Sequence, residues 1–178
     1  MYSLNFFKFE GSSFIADIRQ VSGQQNGLIQ LQRKLLSDIL RGRKEKKINN
    51  VDEGLVMIKQ VIGSKRVLIV LDDVDKREQL DAIIGIQDSL SPGSKMIITT
   101  RRENLLRTHE HCKIHKVDKL NPHESLELFN WYPFGQNHLI NGYLVHSKRV
   151  VEYCNGLSLA LKTLGSSMSE KSLDVWKS

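Results

Sequence analysis

Lys65-Arg-Val-Leu-Ile-Val-Leu-Asp-Asp-Val-Asp75 is the stretch on which the fold turns. Five large apolar residues, Val67 to Leu71, run without a break into Asp72 and Asp73. A short, β-branched run bounded by charge reads as a strand buried on both faces, as in a parallel sheet. In open α/β sheets, ligands bind outside the carboxyl ends of the strands. Two carboxylates at that edge are placed to hold a hydrated divalent cation beside a phosphate. The competing reading is a buried strand that ends in a solvated acidic turn, and the run alone does not decide between them.

The residues that follow favour the first reading. Pro92-Gly93-Ser94 is a turn signal, and Lys95-Met-Ile-Ile-Thr-Thr100 is a second β-rich run ending in Arg101-Arg102. Val67 to Thr100 gives a βαβ unit the roughly 30 or more residues it needs. Lys76 to Ile86 supplies the crossover helix, with Leu80, Ile83 and Ile84 on one side. Two adjacent strands then end at one edge, one in carboxylates and one in a guanidinium, so Asp72 and Arg101 are expected to face one crevice. Phosphoryl-transfer sites neutralise developing charge with that pairing.

Working outward, Ser12 to Ile18 is expected as a further strand, ending at Arg19. Gly27 opens a helix that carries Leu28, Leu31, Leu35 and Ile39 on one face, a stripe too short for a coiled coil and suited to packing on the sheet. Val51 to Ile62 is a second helix, and Ile114 to Val117 a short strand. Beyond Val117 the pattern is helical. Asn121-Pro122-His123-Glu124 is a helix start, with Asn121 as N-cap, and Leu126, Leu128 and Phe129 facing inward. Gly142 to Tyr153 and Leu157 to Met168 follow, with Gly165 for close packing, and Leu173 to Lys177 begins a last helix. The expected fold class is α/β: a parallel sheet with flanking helices over 1–117, then a small all-helical subdomain over 118–178.

Composition narrows the function classes. The 178 residues are 40% hydrophobic, enough for a core. No apolar run approaches the roughly 18 residues of a membrane span, and the first ten residues lack the apolar core of a signal peptide. Cys112 and Cys154 stand in separate segments, which fits a reducing compartment better than a disulfide scaffold. The net charge of +6 is concentrated in Arg41-Gly-Arg-Lys-Glu-Lys-Lys47. That run reads as a solvated loop between helices, because no nucleic-acid module accompanies it. His109, His111, Cys112 and His115 are potential zinc ligands, but no second cluster lies near enough in sequence to complete a structural site.

Several motifs in order carry a resemblance. Phe9-Glu-Gly-Ser-Ser-Phe-Ile-Ala-Asp-Ile-Arg19, the helix Leu28 to Leu40, Lys65 to Asp75, Gly93 to Arg101, Lys116 to Phe129 and Tyr153-Cys-Asn-Gly-Leu-Ser-Leu-Ala-Leu161 resemble successive motifs of one family. It is the nucleotide-binding (NB-ARC) region of plant disease-resistance receptors, the NBS-LRR proteins of the STAND class of P-loop NTPases. Asp75, where other members have Trp, resembles the subclass with an N-terminal TIR domain. The resemblance implies a P-loop NTPase-like sheet and a switch in which ADP holds a closed state and ATP permits assembly for defence signalling. It implies that Asp72 coordinates Mg²⁺ through water, Asp73 orients the attacking water, and Arg101 senses the terminal phosphate. It also implies that Leu157, Ser158 and Leu159 border the adenine, with Ser158 where the family has proline. Other domains or copies of such receptors are the implied partners, without membrane or nucleic acid, in the cytoplasm or also the nucleus.

Departures from the family pattern limit the activity expected of this chain. No glycine is followed by lysine, so the Gly-x-x-x-x-Gly-Lys-Ser/Thr loop is absent. In the family it would precede Met1, and a winged-helix subdomain with a Met-His-Asp motif would follow Ser178. The chain therefore reads as a fragment, expected to bind ATP or ADP weakly and not to turn it over. Two alternatives remain open: a nucleotide-independent module that binds related receptors, and a basic nucleic-acid-binding protein.

Overall fold

Three apolar runs pair in parallel in the order β1–β2–β3: β1 (Gly11–Ile15), β2 (Val67–Val74) and β3 (Lys95–Thr100). The computed structural model describes residues 8–41, 47–83, 85, 90–107, 112–135, 143–169, 171 and 175–176. The central place falls to β2 because it is the most continuously apolar run: every residue from Val67 to Leu71 is buried. It continues three residues beyond the expected Leu71, through Asp72 and Asp73 to Val74. At its start the Val67 N–H donates to Ser94 Oγ (3.0 Å), so the Gly93-Ser94 turn that introduces β3 also caps β2.

The strand expected over Ser12 to Ile18 closes at Ile15. Asp17 takes a left-handed conformation (φ 52°) that turns the chain out of the ladder, and Ile18 opens helix α1 (Ile18–Ser22) as a core residue. Helices α2 (Gly27–Leu40), α3 (Val51–Ser64) and α4 (Arg77–Ile83) complete one layer. Leu31, Leu35, Leu36 and Ile39 of α2 pack with Ile58 and Ile62 of α3 and with Val67, Ile69 and Leu71 of β2. Leu80 and Ile83 of α4 join this core; Ile84 and Ile86 of the expected helix lie outside the described residues. Gln32, fully buried, ties three helices together: its Nε2 donates to the carbonyls of Val51 (2.8 Å) and Ala82 (2.6 Å). On the other face of the sheet, Phe14, Val70 and Ile97 stand side by side in register. Phe14 is 45% and Ile97 48% exposed.

The chain divides into two compact units, Met1–Ile114 and His115–Ser178. The short strand expected at Ile114 to Val117 does not form: residues 112–121 carry no strand, and Val117 is 85% exposed. Lysines on both sides of Ile114 and Val117 leave them too polar to bury, and no strand among the described residues pairs with them.

The second unit holds α5 (Pro122–Phe134), α6 (Leu144–Cys154) and α7 (Ser158–Ser167). Asn121 caps α5 as expected: its Oδ1 accepts from the N–H groups of His123 (3.0 Å) and Glu124 (2.9 Å), while the Asn121 N–H donates to Glu124 (2.9 Å). Phe129, Val151, Cys154, Leu161 and Trp176 form its core. Pro133, in the last turn of α5, has no N–H to offer the Phe129 carbonyl. That carbonyl faces Gly165 of α7, where an added Cβ would stand 2.9 Å away. Gly142 and Leu173, expected to open the helices around this core, lie outside the described residues.

Candidate functional site

The site is built where β2 and β3 part company. Leu71 pairs with Ile98 and Val74 with Thr100, so Asp72 and Asp73 together stand opposite Thr99 alone. This is a β-bulge, a device that re-aims side chains. Asp73 absorbs the extra residue by adopting φ 53°, a left-handed conformation that Asp tolerates better than most residues. Thr99 fills the gap: its Oγ1 accepts the Asp73 N–H (2.9 Å) and donates to Asp72 Oδ1 (2.6 Å).

With its backbone turned, Asp73 presents its carboxylate to two arginines. Arg19 Nε lies 3.1 Å from Oδ2 and Arg101 Nη2 3.1 Å from Oδ1. The Asp73 side chain is 26% exposed, Arg19 49% and Arg101 72%. The two strand ends thus bring Asp72, Asp73 and Arg101 together, but Arg101 bonds to Asp73 while Asp72 bonds to Thr99. Arg19 and Thr99 join the site without being predicted by the sequence pattern. Arg19 is visible in the sequence only as the charge that ends an apolar run, and Thr99 only as a β-former.

Asp75 has a different task. Its Oδ1 accepts from Gln79 Nε2 (2.8 Å), and Gln79 Oε1 accepts the N–H groups of Asp75 (2.9 Å) and Lys76 (3.1 Å). The pair therefore fixes the entrance to α4. Beside it lies a cleft of about 660 Å³ lined in part by Arg19, Lys76, Arg77, Arg102 and Gln79.

The fit to Mg²⁺ is that of a single ligand. Asp72 Oδ2 has no polar partner among the described residues, leaving one oxygen for a water of the ion. Mg²⁺ is commonly held by one or two carboxylates together with waters and substrate phosphates. Among the described residues no group of three or more His, Cys, Asp and Glu could hold a metal. Of the possible zinc ligands, His109 and His111 lie outside the described residues.

Leu157, Ser158 and Leu159 belong to the second unit. Leu157 precedes α7 and Ser158 is its first residue; Leu157 is 56% and Leu159 68% exposed. Gly156 sets up this turn at φ 72°, packed against the Leu120 carbonyl so closely that no side chain fits. No described helix is long and apolar enough to cross a membrane.

Comparison with known proteins identifies a family. A family model, the NB-ARC domain, matches residues 8–138. Disease resistance protein RUN1 of Vitis rotundifolia is 43% identical over 171 residues, covering 96% of this chain and 13% of that protein. TMV resistance protein N of Nicotiana glutinosa is 36% identical over 173 residues, covering 97% of this chain and 14% of that protein. The chain spans less than a sixth of the length of either relative.

Proposed function

The chain belongs to the NB-ARC domain family, and from that premise we propose that it is part of the nucleotide switch of a TIR-class plant immune receptor. The switch alternates between ADP and ATP to control defence signalling. The observation that carries this reading is the bulge at the strand ends, which gathers Asp72, Thr99, Asp73 and Arg101 at one edge of parallel strands. Asp72 serves as the ligand to hydrated Mg²⁺, Asp73 as the residue that orients water, and Arg101 as the phosphate sensor. Leu157, Ser158 and Leu159 border the adenine. Bound Mg²⁺ supplies charge neutralisation at the phosphates. Partners are other domains or copies of such receptors, in the cytoplasm or nucleus.

By itself this chain binds nucleotide weakly and does not hydrolyse it. A Walker A loop gives the phosphates several backbone N–H groups and a lysine, and none of the glycines here is followed by lysine. Charge-assisted hydrogen bonds contribute roughly 1.5–3 kcal/mol each. Three fewer of them cost on the order of 5–9 kcal/mol, or ~10³ to ~10⁶ in affinity. Calorimetry with Mg·ATP and ADP tests this: millimolar or weaker binding is expected, and a micromolar Kd lost on Asp72→Ala would overturn it. A second reading, a nucleotide-independent module that binds related receptors, draws on the exposed Tyr153 (86%) and Leu159 (68%) of the second unit. Pull-down of a related receptor that is unchanged by Asp72→Ala and lost on Tyr153→Ala favours it.

A further inference from the structure

Two guanidinium groups from separate elements, α1 and the end of β3, meet at the two oxygens of one carboxylate. Arg19 Nε and Arg101 Nη2 are each 3.1 Å from Asp73. Like charges this close repel unless an anion stands between them. Asp73 is that anion, held in place by the left-handed turn of the bulge and by the bond from its N–H to Thr99. Both arginines remain open to solvent, at 49% and 72% side-chain exposure, so an anion from solution reaches the same donors. A phosphate group offers more oxygens than a carboxylate and spreads them tetrahedrally, which suits two forked donors arriving from different directions.

We propose that Arg19 and Arg101 form a diphosphate-binding pair that Asp73 occupies as an internal competitor. Phosphate capture by the pair and the Asp73 ion pairs are then mutually exclusive, and the two arginines are released together. Arg19 becomes a second phosphate-contacting residue, and Asp73 a gate on both arginines. While it bridges them, each oxygen of that carboxylate already accepts from a guanidinium, which leaves it less basic toward a water. That the diphosphate belongs to a nucleotide rests on the switch reading above; the competition itself does not.

The test is calorimetric titration of the 178-residue chain with inorganic pyrophosphate, in EDTA and at low ionic strength. Asp73→Asn removes the charge and keeps a residue that accepts φ 53°. Asp73→Gly is the second variant should circular dichroism show the first to be misfolded. Neutralising Asp73 is expected to tighten pyrophosphate binding roughly three- to tenfold, and adding Arg19→Ala or Arg101→Ala is expected to abolish the gain. Asp52→Asn, the same charge change on the exposed side of α3, is expected to leave affinity unchanged. The proposal is overturned by unchanged or weaker binding on loss of the Asp73 charge, by a gain that survives removal of Arg19, by an equal gain from Asp52→Asn, or by no binding to any variant. Pyrophosphate carries no base and EDTA removes metal, so the two readings separate. If the Asp73 effect on pyrophosphate holds while Mg·ATP binding, at whatever affinity, is unmoved by Asp72→Ala, the switch reading fails and the arginine pair stands.

Discussion

The Thr99 hydroxyl accepts the Asp73 N–H and donates to the Asp72 carboxylate, so valine at 99 keeps the β-branched shape while removing both bonds. Thr99→Val is expected to lower the stability of the first unit by about 1 kcal/mol, measured by urea unfolding, and to shift the Asp73 amide resonance. Gly54 poses a steric question instead. A Cβ there would collide with Gln32 Oε1, and Gln32 cannot swing away without releasing the Val51 and Ala82 carbonyls. Gly54→Ala should therefore cost about 1–3 kcal/mol, as overpacking does; an unchanged urea midpoint would refute this. At this scale the sequence shows only part of the site. Asp72, Asp73 and Arg101 are legible because charge that ends an apolar run marks a strand end. Thr99 is not, because its role comes from a bulge in which two residues oppose one, and no local pattern announces that register. Arg19 carries the same charge signal, but it lies in α1 and not at a strand end.

Helices declare themselves where their end signals are local. The Asn121-Pro122-His123-Glu124 start of α5 forms the reciprocal cap that its residues imply, and Asn121→Ala is expected to cost about 1 kcal/mol. Loss of helical ellipticity on mild heating, ahead of the unmodified chain, is the measurement. Strands depend on partners, and their limits are less legible. The ends of β1 and β2 differ by a few residues from what their apolar runs predict, because a left-handed Asp17 stops the first and the bulge prolongs the second. Ile114 to Val117 has strand-like residues but no ladder partner among the described residues, so it forms no strand and stays exposed. The same dependence on context hides the contact between Phe129 and Gly165. The glycine is visible in sequence as a small residue on a helix, but not the proline-freed carbonyl it meets.

Across the molecule, the two thiols can report on the two units separately. Cys112, in the first, is partly exposed, whereas Cys154 lies in the core of the second. Burial pushes the Cys154 thiol up from its ordinary value. The folded state thus keeps a proton that the unfolded thiol loses first. The stability it contributes is complete below the ordinary thiol value, about 8.5, and declines as pH rises past it. Ellman's reagent at pH 8 should label Cys112 promptly and Cys154 only as the second unit opens; simultaneous labelling would contradict this. The row formed by Phe14, Val70 and Ile97 bears on how concentrated preparations of the chain behave. Both outer members are about half exposed, and the outer edge of β3 has no strand partner among the described residues. Lys95 is the one charged residue in β3, and edge strands resist self-pairing chiefly through such charges. Solutions of the chain are accordingly expected to turn turbid on concentration. Ile97→Lys should clear them, with light scattering reduced and the far-ultraviolet dichroism unmoved.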